Sequence, residues 1–371
     1  MFPPHLLLEY VTLFEAGVLR LVSTEFRDAV AAVPWTSDYP VKRLKLWRAC
    51  FPRAVSLFYV GKKPAYLPRH LRFVRLDSVS LSTRLFERNK LEKVSLHGCR
   101  NIGYVLPYLS SLKTLDLSYA KFPGKALSLL TAVETLALRN CAWLTDDDLA
   151  PLTTLTTLDV SNTFYVDAVF PNLPNLRHLR LDGSTTLLTT LPRLTLETLC
   201  ACHMVYKVHD LPWGLKKVCL RNTCGPDDAL RPLVGVQEVD LSQTDYDRLA
   251  PLQGVRRLIC CDGASLRGLR DLRGDIDYLD ISETAPHPPS TFGFDRIGTL
   301  ILLNCHWVDV DTFKYVQCVD ELEMSCVKQC AFTIRTVCKQ LSVKRVTTCV
   351  CSEHKFKFEG GPVVKTLDCY F

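Results

Sequence analysis

The sequence contains no run of 18 apolar residues, so no segment has the composition of a membrane-spanning helix. Its N-terminus lacks the basic start, apolar core and small-residue cleavage site of a secretory signal. The 17 cysteines are an odd number and are spread along all 371 residues. These features predict a protein that does not associate with membranes and that resides in the reducing cytoplasm or nucleus.

Sequence motifs of enzymes are also missing. There is no G-x-x-x-x-G-K-[ST] phosphate loop, no H-E-x-x-H metal motif and no G-x-S-x-G nucleophile motif, and the nine histidines are scattered. The formal net charge of +6 is mild and does not favour nucleic acid as a partner. We therefore expect a protein that is not an enzyme, has no cofactor and does not bind nucleic acid.

The sequence does contain a short apolar pattern that recurs at a nearly constant interval. From Leu112 the residues read L-x-x-L-x-L, and the pattern begins again at Val133. Clear copies, 19 to 22 residues apart, begin at Leu71, Leu91, Leu112, Val133, Leu155, Leu176, Leu196, Leu215, Val236, Val255, Ile276, Ile297 and Val319. More distant copies begin at Val41, Leu341 and Val364. Such a period indicates stacked structural units.

We number each copy from its first apolar residue, so that positions 1, 4 and 6 are apolar. The alternation around positions 4 and 6 is that of a short strand with one buried face. One unit cannot bury this face alone, whereas stacked units form a continuous core and a parallel sheet. The pattern resembles leucine-rich repeats. It implies an α/β leucine-rich-repeat solenoid with the parallel sheet on the concave face, short helices or irregular segments on the convex face, and a small N-terminal helical segment.

The chain is expected to return from each strand on the opposite side of the core. In the copy that begins at Val133, Thr145 is predicted to cap a short helical turn, and the three aspartates that follow suit a helix N-terminus. Leu149 and Leu152, three residues apart, should point inward.

Position 9, three residues after the last apolar residue of the motif, carries small polar side chains. It is Cys99, Cys141, Cys305 and Cys349 in four copies, and Thr163, Ser184, Thr223, Thr244 and Thr284 in five others. We expect these side chains to turn inward and to hydrogen-bond the buried loop backbone. Cysteine at this position resembles the cysteine-containing class of leucine-rich repeats.

Departures from the repeat suggest four regions. Residues 1–40 form an F-box-like helical segment or an N-terminal cap, and residues 41–90 form irregular first repeats. Residues 91–340 are the leucine-rich-repeat solenoid, and residues 341–371 are degenerate last repeats or a C-terminal cap.

The first 35 residues show two helical patterns with a predicted break at Gly17, the second running from Leu19 to Val33. This segment resembles an F-box, and F-boxes precede leucine-rich repeats in a known family. The resemblance implies that apolar residues dock a Skp-type adaptor of a cullin ligase: Pro4, Leu6, Leu7, Leu19, Leu21, Val22, Phe26 and Trp35. The alternative is a helical cap over the open end of the first repeat.

The side chains between the apolar positions should face a protein target. Copies from 177 to 221 are the most basic, and four aspartates recur at position 5. The candidate target-binding residues are Asp116, Arg139, Asp159, Arg177, His178, Arg180, Lys217, Arg221, Asp240, Arg257, Tyr278 and Asp280.

Residues 325–371 are rich in cysteine, which raises the question of a zinc site. Their pairs are C-x-x-x-C and C-x-C, as at Cys326 and Cys330, and not the usual C-x-x-C of structural zinc sites. We therefore predict no metal site.

Taken together, the resemblance implies a substrate receptor of an SCF-type ubiquitin ligase, which holds an unidentified protein target on the concave face. Two alternatives remain: a leucine-rich-repeat interaction scaffold without a link to ubiquitin, and an immune or effector-type recognition module.

Overall fold

The computed structural model describes residues 12–36, 39–62, 64, 66–87, 90–164, 166–184, 189–204, 210–246, 248–262, 267–284, 291–305, 307–308, 311–324, 342–349 and 363–367. The chain divides into two compact units, Met1–Leu176 and Arg177–Phe371. Each unit is described by itself.

Among its described residues, the first unit contains seven short strands. They are β1 (Pro40–Val41), β2 (Ser56–Tyr59), β3 (Phe73–Leu76), β4 (Lys93–Ser95), β5 (Thr114–Asp116), β6 (Thr135–Ala137) and β7 (Thr157–Asp159). Each strand pairs in parallel with the next one along the chain. Leu115 therefore lies between Val94 and Leu136, so that position 4 of each copy forms one continuous row.

The second unit repeats this arrangement. Its described strands are β8 (His178–Arg180), β9 (Thr198–Cys200), β10 (Lys217–Cys219), β11 (Glu238–Asp240), β12 (Arg257–Ile259), β13 (Asp275–Asp280), β14 (Arg296–Leu302), β15 (Cys318–Met324), β16 (Ser342–Cys349) and β17 (Val363–Leu367). All pair in parallel with their sequence neighbours.

The apolar positions of the motif form the core. Leu112, Leu115 and Leu117, at positions 1, 4 and 6, are buried, and so are the equivalent residues of the second unit, such as Leu258 and Leu279 at position 4. Parallel pairing in sequence order, one strand per copy and burial of these three positions together define a leucine-rich-repeat fold, as the sequence predicts.

Helices in the described residues are few and short. They are α1 (Leu13–Leu19), α2 (Thr24–Ala32), α3 (Leu44–Cys50) and α4 (Asp146–Leu149), and most returns are instead single 3-10 turns. The predicted capping of α4 is confirmed, because Thr145 and Asp148 form a capping box, and Leu149 and Leu152 are buried. No helix in the described part of the chain is long and apolar enough to cross a membrane.

The observed bounds of the N-terminal helices differ from the predicted ones. The predicted break at Gly17 is wrong, because α1 continues through this residue to Leu19. The second helix begins only at Thr24, where the Ser23 hydroxyl accepts a hydrogen bond from the Phe26 amide.

The predicted copy at Val41 is wrong. Val41 ends the two-residue strand β1, and the leucines that follow it belong to helix α3. The copy that precedes Leu71 instead begins at Ala54, because Leu57 pairs with Val74 and Tyr59 pairs with Leu76. A tyrosine at position 6 and an alanine at position 1 conceal this copy in the sequence.

The register of the last two predicted copies is also wrong. Val343 lies opposite Val319, which makes it position 1 of a copy that was predicted to begin at Leu341. Val364 lies opposite Val346 and so occupies position 4 and not position 1. Cys349 consequently falls within strand β16, opposite Leu367, and not at position 9.

The chain leaves each strand through a residue with left-handed backbone conformation at position 8. The φ angles lie between 50° and 66° in twelve consecutive copies, at Ser78, Gly98, Tyr119, Asn140, Asn162, Gly183, His203, Asn222, Gln243, Asp262, Glu283 and Asn304. In ten of these copies the amide of this residue donates to a carbonyl of the next copy, as from Asn140 to Ser161 at 2.9 Å. Position 8 therefore extends the hydrogen bonding between copies beyond the strand.

Position 9 turns inward, as predicted. The Cys99 thiol donates to the carbonyl of Leu76 at 3.1 Å, one copy back, and Cys305 reaches Ile281 in the same way at 3.0 Å. The threonines instead donate to the position 6 carbonyl of their own copy, as Thr244 does to Leu241 at 2.6 Å. Both side chains satisfy buried backbone carbonyls where the strand ends.

We expect Asn140→Val to lower the free energy of unfolding by about 1–2 kcal/mol, because a β-branched residue is strained at a positive φ. Asn140→Gly should be nearly neutral, since glycine adopts this conformation freely. Urea denaturation of both variants tests this, and equal stability of the two would contradict it.

Burial raises the pKa of the Cys99 and Cys141 thiols to about 11. At pH 8 only on the order of one in a thousand of these thiols is ionised, so we expect slow alkylation by iodoacetamide that accelerates as the pH rises. The half-buried Cys50 serves as the comparison. Peptide mass spectrometry of the native chain would refute the assignment if Cys99 and Cys141 reacted as fast as Cys50.

Candidate functional site

The outer face of the strands is formed by positions 3, 5 and 7, which alternate with the buried positions. In β5, Thr114 and Asp116 are half-buried on this face, whereas Leu115 between them is fully buried. The predicted target-binding residues are distributed over both units. The first unit carries Asp116, Arg139 and Asp159, and the second carries Arg177, His178, Arg180, Lys217, Arg221, Asp240, Arg257, Tyr278 and Asp280. Their role in binding remains a prediction.

The position 5 aspartates accept hydrogen bonds from the turn that follows their own strand. In Asp240 and Asp280, the Oδ1 atom accepts from both the amide and the hydroxyl of the serine two residues later, at 2.7 to 3.0 Å. Asp159 accepts from Ser161 in the same way. These carboxylates therefore stabilise the end of the strand, a role that the D-x-S spacing in the sequence could have revealed.

The second carboxylate oxygen links one copy to the next. Arg139 Nε donates to Asp159 Oδ2 at 2.5 Å, and Arg221 donates to Asp240 Oδ2 at 3.0 Å. Both arginines stand at position 7, and about half of each side chain is exposed. The arginines thus present partly exposed cations along the outer face, held in place by the more deeply buried aspartates.

The predicted basic character of copies 177–221 is largely offset by neighbouring acids. Arg180 pairs with Asp182 at 2.5 Å, Lys216 pairs with Glu197 at 2.7 Å, and Lys217 pairs with Glu238 at 2.6 Å. Such exposed pairs add little to stability. The surface is an array of alternating charges and not a single basic patch.

Two of the predicted residues form a cation–π pair. The Arg257 guanidinium lies 3.6 Å from the centre of the Tyr278 ring, and both stand at position 3 of the paired strands β12 and β13. A planar cation on an aromatic ring is typical of recognition surfaces, where large side chains bind with little loss of conformational freedom.

A depression of about 620 Å³ lies on the outer face of the first unit. Its lining includes Phe58, Phe73, Arg75, Lys93, His97 and Arg139. Arg75 lies over the Phe58 ring at 4.1 Å from its centre. Of the lining residues, only Asp116 and Arg139 are among the predicted target-binding residues, and the copy that contributes Phe58 is concealed in the sequence. The alternation of serine, leucine, phenylalanine and tyrosine in β2 is the signal that could have found it.

Three thiols meet on the outer face of the second unit. The Sγ atoms of Cys202 and Cys219 are 2.9 Å apart, and those of Cys200 and Cys202 are 3.6 Å apart. All three lie within 4.8 Å of one another. Two carboxylates flank them, since Asp182 Oδ1 is 3.0 Å from Cys200 Sγ and Asp240 Oδ2 is 3.6 Å from Cys219 Sγ.

This packing shifts the pKa values of two of the thiols in opposite directions. Hydrogen bonds with Cys200 and Cys202 lower the pKa of the Cys219 thiol, whereas hydrogen bonds with Cys202 and Cys219 raise the pKa of Cys200. Burial alone would raise the pKa of Asp182, but hydrogen bonds from the Cys200 thiol, the Cys202 amide and Arg180 hold it below its usual value. The cluster thus favours its first negative charge on Cys219 and opposes further ones.

The predicted adaptor-docking residues differ in how exposed their side chains are. Leu21 is 85% exposed and Val22 is 66% exposed, in the segment between α1 and α2. Leu19 and Phe26 are half-buried.

Trp35 is buried, donates from Nε1 to the Val30 carbonyl at 2.8 Å and packs edge-on against Phe51. Pro4, Leu6 and Leu7 lie outside the described residues.

Comparisons with known proteins concern the fold alone. No protein-family model matches the sequence, and no curated protein matches it. A chain of the Drosophila Toll–Spatzle complex is 12% identical over 78% of this chain and 51% of its own length, with a TM-score of 0.42. This chain thus spans about half of that one.

Two further solved structures are similar over most of their length. A leucine-rich-repeat protein of Leptospira interrogans is 17% identical over 88% of this chain and 87% of its own, with a TM-score of 0.45. The leucine-rich-repeat domain of APL1 is 15% identical over 84% and 94%, also with a TM-score of 0.45. The fold assignment rests on the strand register and buried positions described above.

We expect Asp280→Ala to lower the free energy of unfolding by about 1–2 kcal/mol, because it removes the acceptor of two hydrogen bonds from Ser282. Asp277→Ala is the matched control on the same strand, since Asp277 is exposed, and it should change stability by less than about 0.5 kcal/mol. Thermal denaturation compares the two. Equal losses would show that position 5 has no special structural role.

Proposed function

We propose that the chain is a protein-recognition module that binds its target on the outer strand faces. The support is the regular display of half-exposed arginines and aromatic rings, held by ion pairs and stacking before any partner arrives. Side chains that are already ordered lose little conformational freedom on binding. A leucine-rich-repeat fold suits this role because its strand face is broad and its copies can vary independently. We assign it no catalytic activity.

We further propose that the N-terminal helices dock a Skp-type adaptor, which would make the chain a substrate receptor of an SCF-type ubiquitin ligase. The observation that carries this proposal is the exposure of Val18, Leu21 and Val22 at the junction of α1 and α2. Adjacent apolar side chains that face water are typical of an interaction surface. They belong to the same segment whose sequence resembles an F-box.

The same helices also pack against the rest of the first unit. Ala16 and Val30 are fully buried, and Arg20 donates to the Ala49 carbonyl at the end of α3 at 3.3 Å. One side of the segment thus packs inside the first unit while the other side stays exposed. Capping and docking are compatible, and docking is the role that accounts for the exposed side.

A receptor of this kind performs no chemistry. It would raise the effective concentration of its target near the ubiquitin-loading enzyme by binding both at once. Such a role requires a cytoplasmic or nuclear location, which is the location that the sequence predicts.

We expect the double substitution Leu21→Asp and Val22→Asp to weaken binding of a purified Skp-type adaptor at least about tenfold, because burial of each such side chain contributes about 1.5–3 kcal/mol. Val234→Asp is the matched control, since Val234 is also 66% exposed but lies in the second unit. Isothermal titration calorimetry measures both affinities.

The outcomes separate docking from capping. Loss of binding in the double variant, with an unchanged circular dichroism spectrum and normal binding by the Val234 variant, supports docking. If the full chain does not bind the adaptor, or if the double variant binds as the wild type does, the segment is a cap and the chain is an interaction scaffold without a link to ubiquitin.

A further inference from the structure

The cysteines of the second unit do not all belong to the inward ladder. Position 9 accounts for Cys305, which faces the core, whereas Cys200 and Cys219 stand at position 5 on the outer face. They are opposite each other in the paired strands β9 and β10. Cys202, two residues after Cys200, returns to the same side. The repeat gives no structural reason for three thiols there.

The geometry of these thiols is close to that of a metal site. Zinc binds thiolate sulfur at about 2.3 Å in a tetrahedron, which places neighbouring sulfurs about 3.8 Å apart. The two shorter sulfur separations, 2.9 and 3.6 Å, lie just below that value, and all three sulfur atoms lie within 4.8 Å of one another. Small rotations of the side chains would therefore bring all three to one ion.

A fourth ligand is present beside the sulfurs. Asp182 Oδ1 lies 3.0 Å from Cys200 Sγ, while its Oδ2 accepts from Arg180 and its Oδ1 also accepts from the Cys202 amide. These hydrogen bonds fix the carboxylate with Oδ1 directed toward the sulfurs, as outer-shell partners do at metal sites. Asp240 lies farther away and uses its oxygens for Ser242 and Arg221.

Charge provides the driving force. Three thiolates beside two carboxylates would place several negative charges close together, where they repel one another. A divalent ion removes this repulsion and displaces the thiol protons on binding. Zinc accepts both thiolate and carboxylate ligands, whereas copper(I) prefers sulfur alone.

We propose that Cys200, Cys202, Cys219 and Asp182 bind one zinc ion on the outer face of the second unit. The ion would join the loop after β8 to strands β9 and β10, and so tie three consecutive copies together at the surface. The site is separate from the cysteines of residues 325–371. It does not depend on the proposed function, because the ligands are internal to the unit.

Titration of the reduced full chain with Co²⁺, which reports thiolate ligation through a charge-transfer band and tetrahedral geometry through visible bands, tests the proposal. We expect Cys200→Ser with Cys219→Ser to lose one equivalent of bound metal relative to the wild type. Cys261→Ser is the matched control, because Cys261 is a half-buried thiol at the same position 7 as Cys202, and it should lose none. Excess Zn²⁺ should abolish the bands.

A second measurement does not depend on the variants folding. Zn²⁺ should protect the three cysteines of the wild-type chain from alkylation, and a chelator should remove the protection, as read by peptide mass spectrometry. The same metal stoichiometry in the double variant and the wild type, or equal alkylation with and without Zn²⁺, would overturn the proposal.

Discussion

Burial of positions 1, 4 and 6 between neighbouring copies is the constraint on which the rest of the structure depends. Each described strand has at most eight residues and has no stability by itself, so its leucines must be covered by the copies on either side. This requirement fixes the parallel register from β2 to β7 and from β8 to β17. The backbone must then turn sharply at the same point of each copy, which is why position 8 is left-handed in twelve consecutive copies. The carbonyls buried at that turn explain the cysteines and threonines at position 9.

The polar residues consequently divide by position into those that hold the fold and those that stay partly exposed on the outer face. Asp240 and Asp280 belong mainly to the first group, because their Oδ1 atoms are used by the following turn. Arg139 and Arg221 extend from aspartates of this kind to the surface and are half-exposed. The aspartate thus anchors the arginine, and the arginine is the group that a target would meet. In the proposed role, recognition and folding would share one hydrogen-bonded network at these positions.

The sequence predicts the fold well where the apolar pattern is regular and fails where it is not. Within each unit, the paired strands of the copies from Leu71 to Val319 lie in the predicted register, since a strict period leaves only one way to bury the leucines. At the N-terminal end the pattern is misleading, because Val41 precedes a helix and because alanine replaces leucine at position 1 of the copy that begins at Ala54. The thiol cluster escapes prediction for a different reason. Cys200 and Cys219 lie opposite each other only because one repeat length stacks on the next, which the spacing of a metal motif would not reveal.

Amide hydrogen exchange of the full chain, read residue by residue, tests the stacked register most directly. We expect slow exchange in blocks that recur with the strands and that extend to position 8, as at Asn140, whose amide donates to the next copy. We expect the first such repeat block at Ser56–Tyr59. Fast exchange at Ser56–Tyr59, or slow exchange that does not follow the period of the repeat, would contradict the register and with it the positions assigned to the outer face.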